Sequence, residues 1–489
     1  DKIMINNQRN LSMLMDSYEL TMAYAYFKKG MKDKEAVFDC FYRMNPDKGG
    51  YCIAAGLEQL VDYILNMHFS EDDITFFRNK YHFDEDFLDY LKDFAFRGTI
   101  YAVKEGTIVY PNTPIVTVKA NIIEAQLIET MLLLTVNHQT LIATKASRIV
   151  RAAKGRTIME FGARRAHSYD AAIIGARAAY IGGVDATATV AAEQDYKVPA
   201  TGTIAHSFIQ AFDNEYEAFE AFAQVYPDNC HLLIDTYDVL ESGIKNAIRV
   251  AKEVLEPNGH RLKSVRIDSG DLAYLSKKVR KALDDAFMSD CKIVISNSMD
   301  EYLITSLLDQ GAPIDSFGVG ERLITSKSTP VFGGVYKLVA IEKDGMLIPK
   351  IKKSENIEKI TNPGFKKLWR LYSKSTGNSI CDVLTTRDEV INEAKEYWFV
   401  DPLKPWSEKL TTDFTAVELQ KTIIENGKLV YELPTIEEIR AYVKQQLEHE
   451  LWVEELRFEN PHVHYVNQSK KQYQLKMDLL AKAEHMGEN

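Results

Sequence analysis

The sequence predicts an α/β protein built around a parallel β/α barrel, with mixed α/β segments on either side and a helical end. Two patterns point to this. From 157 to 324, apolar strand-like runs alternate with helical periodicity, as βα units of a parallel sheet do. Along the same stretch, polar residues recur where the strand-like runs end. With 489 residues, the chain has room for about three domains. The expected division is an N-terminal sandwich portion over 1–135, the barrel over 136–330, a return to the sandwich over 331–432 and a helical region over 433–489.

Taken in order, residues 11–29 read as a helix with Asp16 or Ser17 as N-cap, placing Tyr18 in its first turn. "EAVFDCFYRM" (35–44) reads as a strand and "GLEQLVDYIL" (56–65) as a helix. Over 98–122, β-branched runs break at Glu105-Gly106 and Pro111-Asn112, which predicts a small β-meander. A helical block follows to about Ala153. Seven strand-like runs then appear: "TIMEF", "GGVDA", "VPATGT", "HLLIDTYD", "SVRIDSGD", "KIVISNS" and "DSFGVGERL". Seven units suggest a barrel short of eight strands, with a doubly wound open sheet as the alternative. In "AYLSKKVRKALDDAF" (273–287), Leu275, Val279 and Leu283 recur every four residues, as on one helix face. From Pro434 the pattern is helical to the end, with Thr435 and Glu438 matching a capping box. "HVH" (462–464) lacks further ligands nearby and reads as a pair of surface histidines rather than a metal site.

Composition excludes several classes. The net charge of −11 argues against a non-specific nucleic-acid binder. Five scattered cysteines without a C-x-x-C suggest reduced thiols, and no apolar run approaches the length of a membrane span. A cytoplasmic protein with no membrane partner is the expectation. H-E-x-x-H, G-x-S-x-G, zinc spacings and the Walker loop are all missing.

The polar strand ends place the chemistry. Glu160, Arg164 and Arg165 follow the first run, Asp185 ends the second, and His206 follows the third. Asp235 and Asp238 end the fourth, Arg266, Asp268 and Asp271 the fifth, and Ser296, Asn297 and Ser298 the sixth. Gly318, Gly320, Glu321 and Arg322 close the seventh. Ligands bind at the carboxyl ends of strands in such folds. In "SVRIDSGD", alternation puts Arg266 and Asp268 on one face, toward the barrel interior, where they could pair with each other or hold a ligand. In "GVGER", two glycines beside Arg322 could admit an anion to the backbone. A barrel isomerase or aldolase acting on a sugar phosphate, and an inactive anion sensor, are readings compatible with these features.

Together these segments resemble the nicotinate phosphoribosyltransferase family. The matching words are "MDSYELTMA", "EFGARRAHSYDAA", "GGVDATATV", "GTIAHSF", "LLIDTYD", "VRIDSGDL", "ISNSMDE", "GVGERL" and "FGGVYKLVA", in family order over residues 12–340. The nicotinamide and quinolinate enzymes share the architecture and match these words less well. The resemblance implies a type II phosphoribosyltransferase fold: an irregular β/α barrel with an α/β sandwich domain and a helical C-terminal extension. It implies transfer of a phosphoribosyl group from phosphoribosyl pyrophosphate to nicotinate in NAD salvage, coupled to ATP hydrolysis, with Mg²⁺ and a homodimer with shared sites. By motif, Tyr18 from the neighbouring subunit and Phe161 would cover the pyridine ring. Arg164, Asp185, Thr203, Ser207, Ser296 and Asn297 would lie beside substrate. Arg266, Asp268 and Asp271 would hold phosphate, ribose or the metal, and Gly318, Gly320 and Arg322 the 5′-phosphate. His206 matches the histidine that takes the ATP phosphoryl group. A departure is Ser298, where relatives often have Asn or Asp.

Overall fold

Six short strands from the middle of the chain form one parallel sheet: β1 (Thr157–Glu160), β2 (Ala186–Thr187), β3 (His231–Leu233), β4 (Ser264–Ile267), β5 (Lys292–Asn297) and β6 (Ser316–Val319). The structure is a computed structural model describing residues 9–485. The spatial order is β2-β1-β6-β5-β4-β3, so the last strand returns to pair with the first, as in a barrel. All five pairings are parallel. The third expected strand, "VPATGT", does not form. Only one bridge, Thr187 to Ala200, remains there. Pro199 has no N–H to give a ladder, and Thr201, Gly202 and Thr203 are exposed, so no packed face holds the segment extended. The barrel is therefore irregular, without a ladder between β2 and β3.

Helix Leu272–Asp285 buries Val279 and Leu283 as the spacing predicts, together with Leu272, Ala273 and Ser276, whereas Leu275 is only half-buried. The Lys145 ammonium reaches Glu301 at 2.7 Å, both fully buried. Residues 142–330 form one compact unit, and the described residues before and after them form the other.

The second unit holds an antiparallel sheet of seven strands, in the order Met346–Pro349, Gly334–Lys343, Glu35–Tyr42, Val116–Asn121, Thr99–Val103, Gln420–Glu425, Lys428–Leu429. Glu35–Tyr42 is buried from Ala36 onward, which explains why it reads as a near-continuous apolar run. The expected meander over 98–122 is only partly one. Thr99–Val103 pairs with Val116–Asn121, but Ile108–Val109 leaves to pair with Cys52–Ile53. Aromatic side chains, among them Phe77, Phe83 and Phe87, pack the helices of this unit.

A further six-stranded sheet runs Glu408–Thr411, Tyr397–Val400, Val466–Gln468, Ser379–Thr386, Lys366–Ser373, Phe414–Glu418. The C-terminal region is thus not helical throughout. Helices Ile436–His449 and Lys470–Ala483 flank the strand Val466–Gln468, whose three residues are too few to show a period. The capping reading holds: Thr435 accepts from the Glu438 amide. The surface reading of "HVH" fails for His464, which is 5% exposed. Its ring stacks on Tyr110 at 3.7 Å and meets Glu455 at 2.9 Å and Asp382 at 3.1 Å. Arg370 completes the cluster with two bonds to Asp382, at 2.7 and 3.1 Å. Burial alone would push the Asp382 carboxyl up, but Arg370 and His464 outweigh it and hold it at about 2. Burial likewise disfavours the His464 imidazolium, and the two carboxylates overcome it and raise the ring's pKa.

Candidate active site

The carboxyl ends of β3, β4 and β5 converge on one hydrogen-bonded group. Asp235 lies two residues beyond β3 with its side chain 2% exposed. One carboxylate oxygen meets His206 Nε2 at 2.8 Å. The other accepts from the Asp268 amide at 3.2 Å and the Ser269 hydroxyl at 2.5 Å. Asp268 follows β4 and accepts from the Ser296 hydroxyl of β5 at 2.7 Å. Ser296 in turn accepts from Arg266 Nη1 at 3.1 Å, and Arg266 Nη2 donates to the Ile204 carbonyl at 2.5 Å. Ile204 is two residues before His206, so the bonds close a ring.

The sequence reading places Asp235 at a strand end without a role. In the structure it orients His206, whose side chain is 41% exposed, and leaves Nδ1 as the nitrogen away from the carboxylate. The signal was present in "LLIDTYD", since an acidic residue closing an apolar strand faces the strand ends. Arg266 is part-buried. Burial pushes its pKa down, while Asp268 and Asp235 pull the other way and Arg164 adds to the lowering. The inward Arg–Asp pair expected from alternation is bridged by the Ser296 hydroxyl.

At β1 and β6 the glycines serve packing. A Cβ on Gly318 would come within 2.6 Å of the Phe161 ring, and one on Gly162 within 2.7 Å of the Gly320 carbonyl. Glu160 is fully buried and accepts from the Gly162 amide and the Thr187 hydroxyl, both at 2.6 Å. It pins the turn carrying Phe161. Arg164 is exposed. Arg322 is held by Asp300 at 2.9 Å.

Other expected site residues have visible local duties. Asp185 accepts from the Ile158 amide at 2.9 Å and braces β1. Asp271 caps helix Leu272–Asp285 through the Tyr274 amide at 3.1 Å. Asn297 accepts from the Ser298 amide at 2.8 Å. Thr203 and Ser207 are exposed near His206 in sequence. Tyr18 belongs to the other unit, in helix Ser17–Lys28, where Asp16 is the N-cap and the Tyr18 hydroxyl donates to Glu129. That unit also gathers positive charge that sequence reading missed. Burial lowers the Lys337 pKa, and Lys352 and Arg43 lower it further. Arg43 Nε is buried without a hydrogen-bond partner.

Similarity to known proteins gives the family. The nicotinate phosphoribosyltransferase family model matches residues 156–378, and the family's N- and C-terminal domain models match 13–137 and 365–476. The nicotinate phosphoribosyltransferase of Bacillus subtilis is 44% identical over 96% of this chain and 95% of its own. The chain belongs to the nicotinate phosphoribosyltransferase family. The Caenorhabditis elegans family member is 34% identical over 96% of this chain and 94% of its own. Human nicotinic acid phosphoribosyltransferase superposes with a TM-score of 0.84 at 28% identity, covering 96% of this chain and all of that one. The nicotinate-nucleotide pyrophosphorylase of Pyrococcus furiosus, at 23% identity and a TM-score of 0.69 over 92% of this chain and 98% of its own, shares the fold. The family's fold is thus the irregular barrel and sandwich described above. No helix among the described residues is long and apolar enough to cross a membrane.

Proposed function

We propose that this protein joins nicotinate to phosphoribosyl pyrophosphate, giving nicotinate mononucleotide and pyrophosphate in NAD salvage. The observation that carries this is the 44% identity to the Bacillus subtilis enzyme along nearly the whole chain. The pyridine nitrogen is the nucleophile, so no general base is needed. It attacks ribose C1 as pyrophosphate leaves, and positive charge builds on the ribose. Catalysis then rests on positioning and fixed electrostatics. Phe161 would lie against the pyridine ring, Asp268 near the ribose, and Arg164 and Arg322 near the anionic groups.

We extend the proposal to ATP coupling through a phosphohistidine at His206. Asp235 fixes the ring through Nε2 and leaves Nδ1 to attack a γ-phosphate. Mg²⁺ fits the donor set in part. His206, Asp235 and Asp268 each offer a ligand atom within 4.8 Å of the others. Asp235 already uses both oxygens, so Asp268 is the better carboxylate for a hard cation, with substrate oxygens completing its shell. The ion would neutralise departing pyrophosphate. A homodimer is the third extension: Tyr18, Arg43, Lys337 and Lys352 would complete the partner's barrel site. Cytoplasmic residence follows from the pathway assigned.

The test is pyrophosphate release on mixing the protein with nicotinate and phosphoribosyl pyrophosphate. Release is expected with nicotinate. Release only with nicotinamide or quinolinate would move the substrate, and none with any of the three would overturn the reading.

A further inference from the structure

The ring of bonds at the strand ends links two places that the proposed reaction treats separately. On one side is His206, held by Asp235. On the other are Arg266 and Asp268, the expected contacts of the phosphoribosyl donor. Between them stands Ser296, 5% exposed, whose single hydroxyl accepts from the cation and donates to the anion. The ring closes because Arg266 also holds the Ile204 carbonyl, on the segment that leads into helix His206–Gln210.

We propose that Ser296 is the positioning residue through which the state of His206 reaches the phosphoribosyl-donor site, an inference that rests on the phosphohistidine reading above. A phosphoryl group transferred from ATP to Nδ1 forms an N–P bond as the γ-phosphate bond to ADP breaks. It adds charge of about −1.5 to −2 beside the segment that Arg266 anchors. Nε2 then keeps its N–H toward Asp235. A shift of the His206 segment moves the Ile204 carbonyl and with it the Arg266 guanidinium. A shift of Asp235 moves the Asp268 amide. Both routes meet at one hydroxyl. The guanidinium and carboxylate keep their separation only while Ser296 stands between them. Without the hydroxyl they are free to close on each other, and the ring no longer ties donor affinity to His206.

Networks of this kind carry coupling only if removal of a link changes the coupling itself. The experiment measures the apparent KM for phosphoribosyl pyrophosphate with and without ATP, in the wild type and in Ser296→Ala, alongside transfer of radiolabel from γ-labelled ATP to the protein. A coupled wild type is expected to show an ATP effect of roughly 5- to 150-fold on that KM. Ser296→Ala is expected to keep taking up label, whatever its change in transfer rate, while the ATP effect falls to about 2-fold or less. Ser296→Cys, nearly isosteric and only a weak hydrogen-bonding group, is the second variant, expected to label fully with an intermediate ATP effect. Full ATP effect in both variants overturns the role of Ser296. Loss of labelling in both variants also overturns it, since Ser296 then acts on phosphorylation and not downstream of it. Absence of labelling in the wild type is a distinct result, and it removes the phosphohistidine reading itself.

Discussion

His206 stands half-exposed at the start of a short helix, and what distinguishes it from an ordinary exposed histidine is the buried carboxylate behind it. Asp235 is 2% exposed and spends every oxygen on named donors. A buried carboxylate in such a position fixes both the orientation and the tautomer of the ring. Asp235→Asn keeps the shape and removes that control. Phosphoryl transfer from labelled ATP to the protein is expected to drop on the order of 10²-fold or more, as when an orienting acid is lost from a catalytic histidine. His206→Ala is expected to abolish labelling and ATP stimulation while leaving some ATP-independent transfer. Equal loss of both activities would remove the coupling role. Sequence spacing could put His206 near a strand end, but the carboxylate facing it lies 29 residues further on, just past another strand, and only chain folding brings it there.

Elements differ in how clearly the sequence announces them. Helix Leu272–Asp285 and strand Glu35–Tyr42 are long enough for their periodicity to show. The strand Val466–Gln468 is not, and it exists because Ser379–Thr386 offers a free edge to pair with. The same strand region delivers His464 to the buried cluster with Asp382, Arg370 and Glu455. Removing one partner from such a cluster strands the others without compensation. Asp382→Asn is expected to cost about 3–5 kcal/mol in chemical denaturation. The pH dependence follows from the direction of each shift. Asp382 is depressed from 3.8 to about 2, so its contribution is complete above the unfolded value and disappears as pH falls through about 2. His464 is raised above 6.5, so its contribution is complete below that value and disappears as pH rises through the raised one. The stability gap between wild type and Asp382→Asn should therefore shrink toward pH 2. A gap that stays constant across that range would mean the cluster is not charged as described.

At the scale of the whole molecule, the expected site residues divide between the two units. His206, Arg266, Asp268 and Ser296 lie in residues 142–330, whereas Tyr18 lies in the other, as does the basic trio Arg43, Lys337 and Lys352 that the sequence did not announce. The proposed shared site makes this division testable. Tyr18→Ala and His206→Ala proteins, each impaired alone, should regain part of the ATP-stimulated activity as heterodimers, measured as pyrophosphate release after co-expression and tandem purification. No recovery in heterodimers shown to form would argue that each chain supplies its own Tyr18.

The sequence by itself determined the alternating βα beat, the polar strand ends and the family words, because each is a local pattern of residue types a few positions apart. Tertiary structure alone decided that "VPATGT" stays outside the ladder, that His464 is buried, that Gly318 makes room for Phe161, and that Asp235 holds His206. Each of these depends on which distant segment supplies the facing atom. A strand needs a neighbour's free edge, a buried charge needs its counter-charge, and a close approach needs the ring that approaches. Apart from Glu455, nine residues before His464, those partners lie far away in the chain.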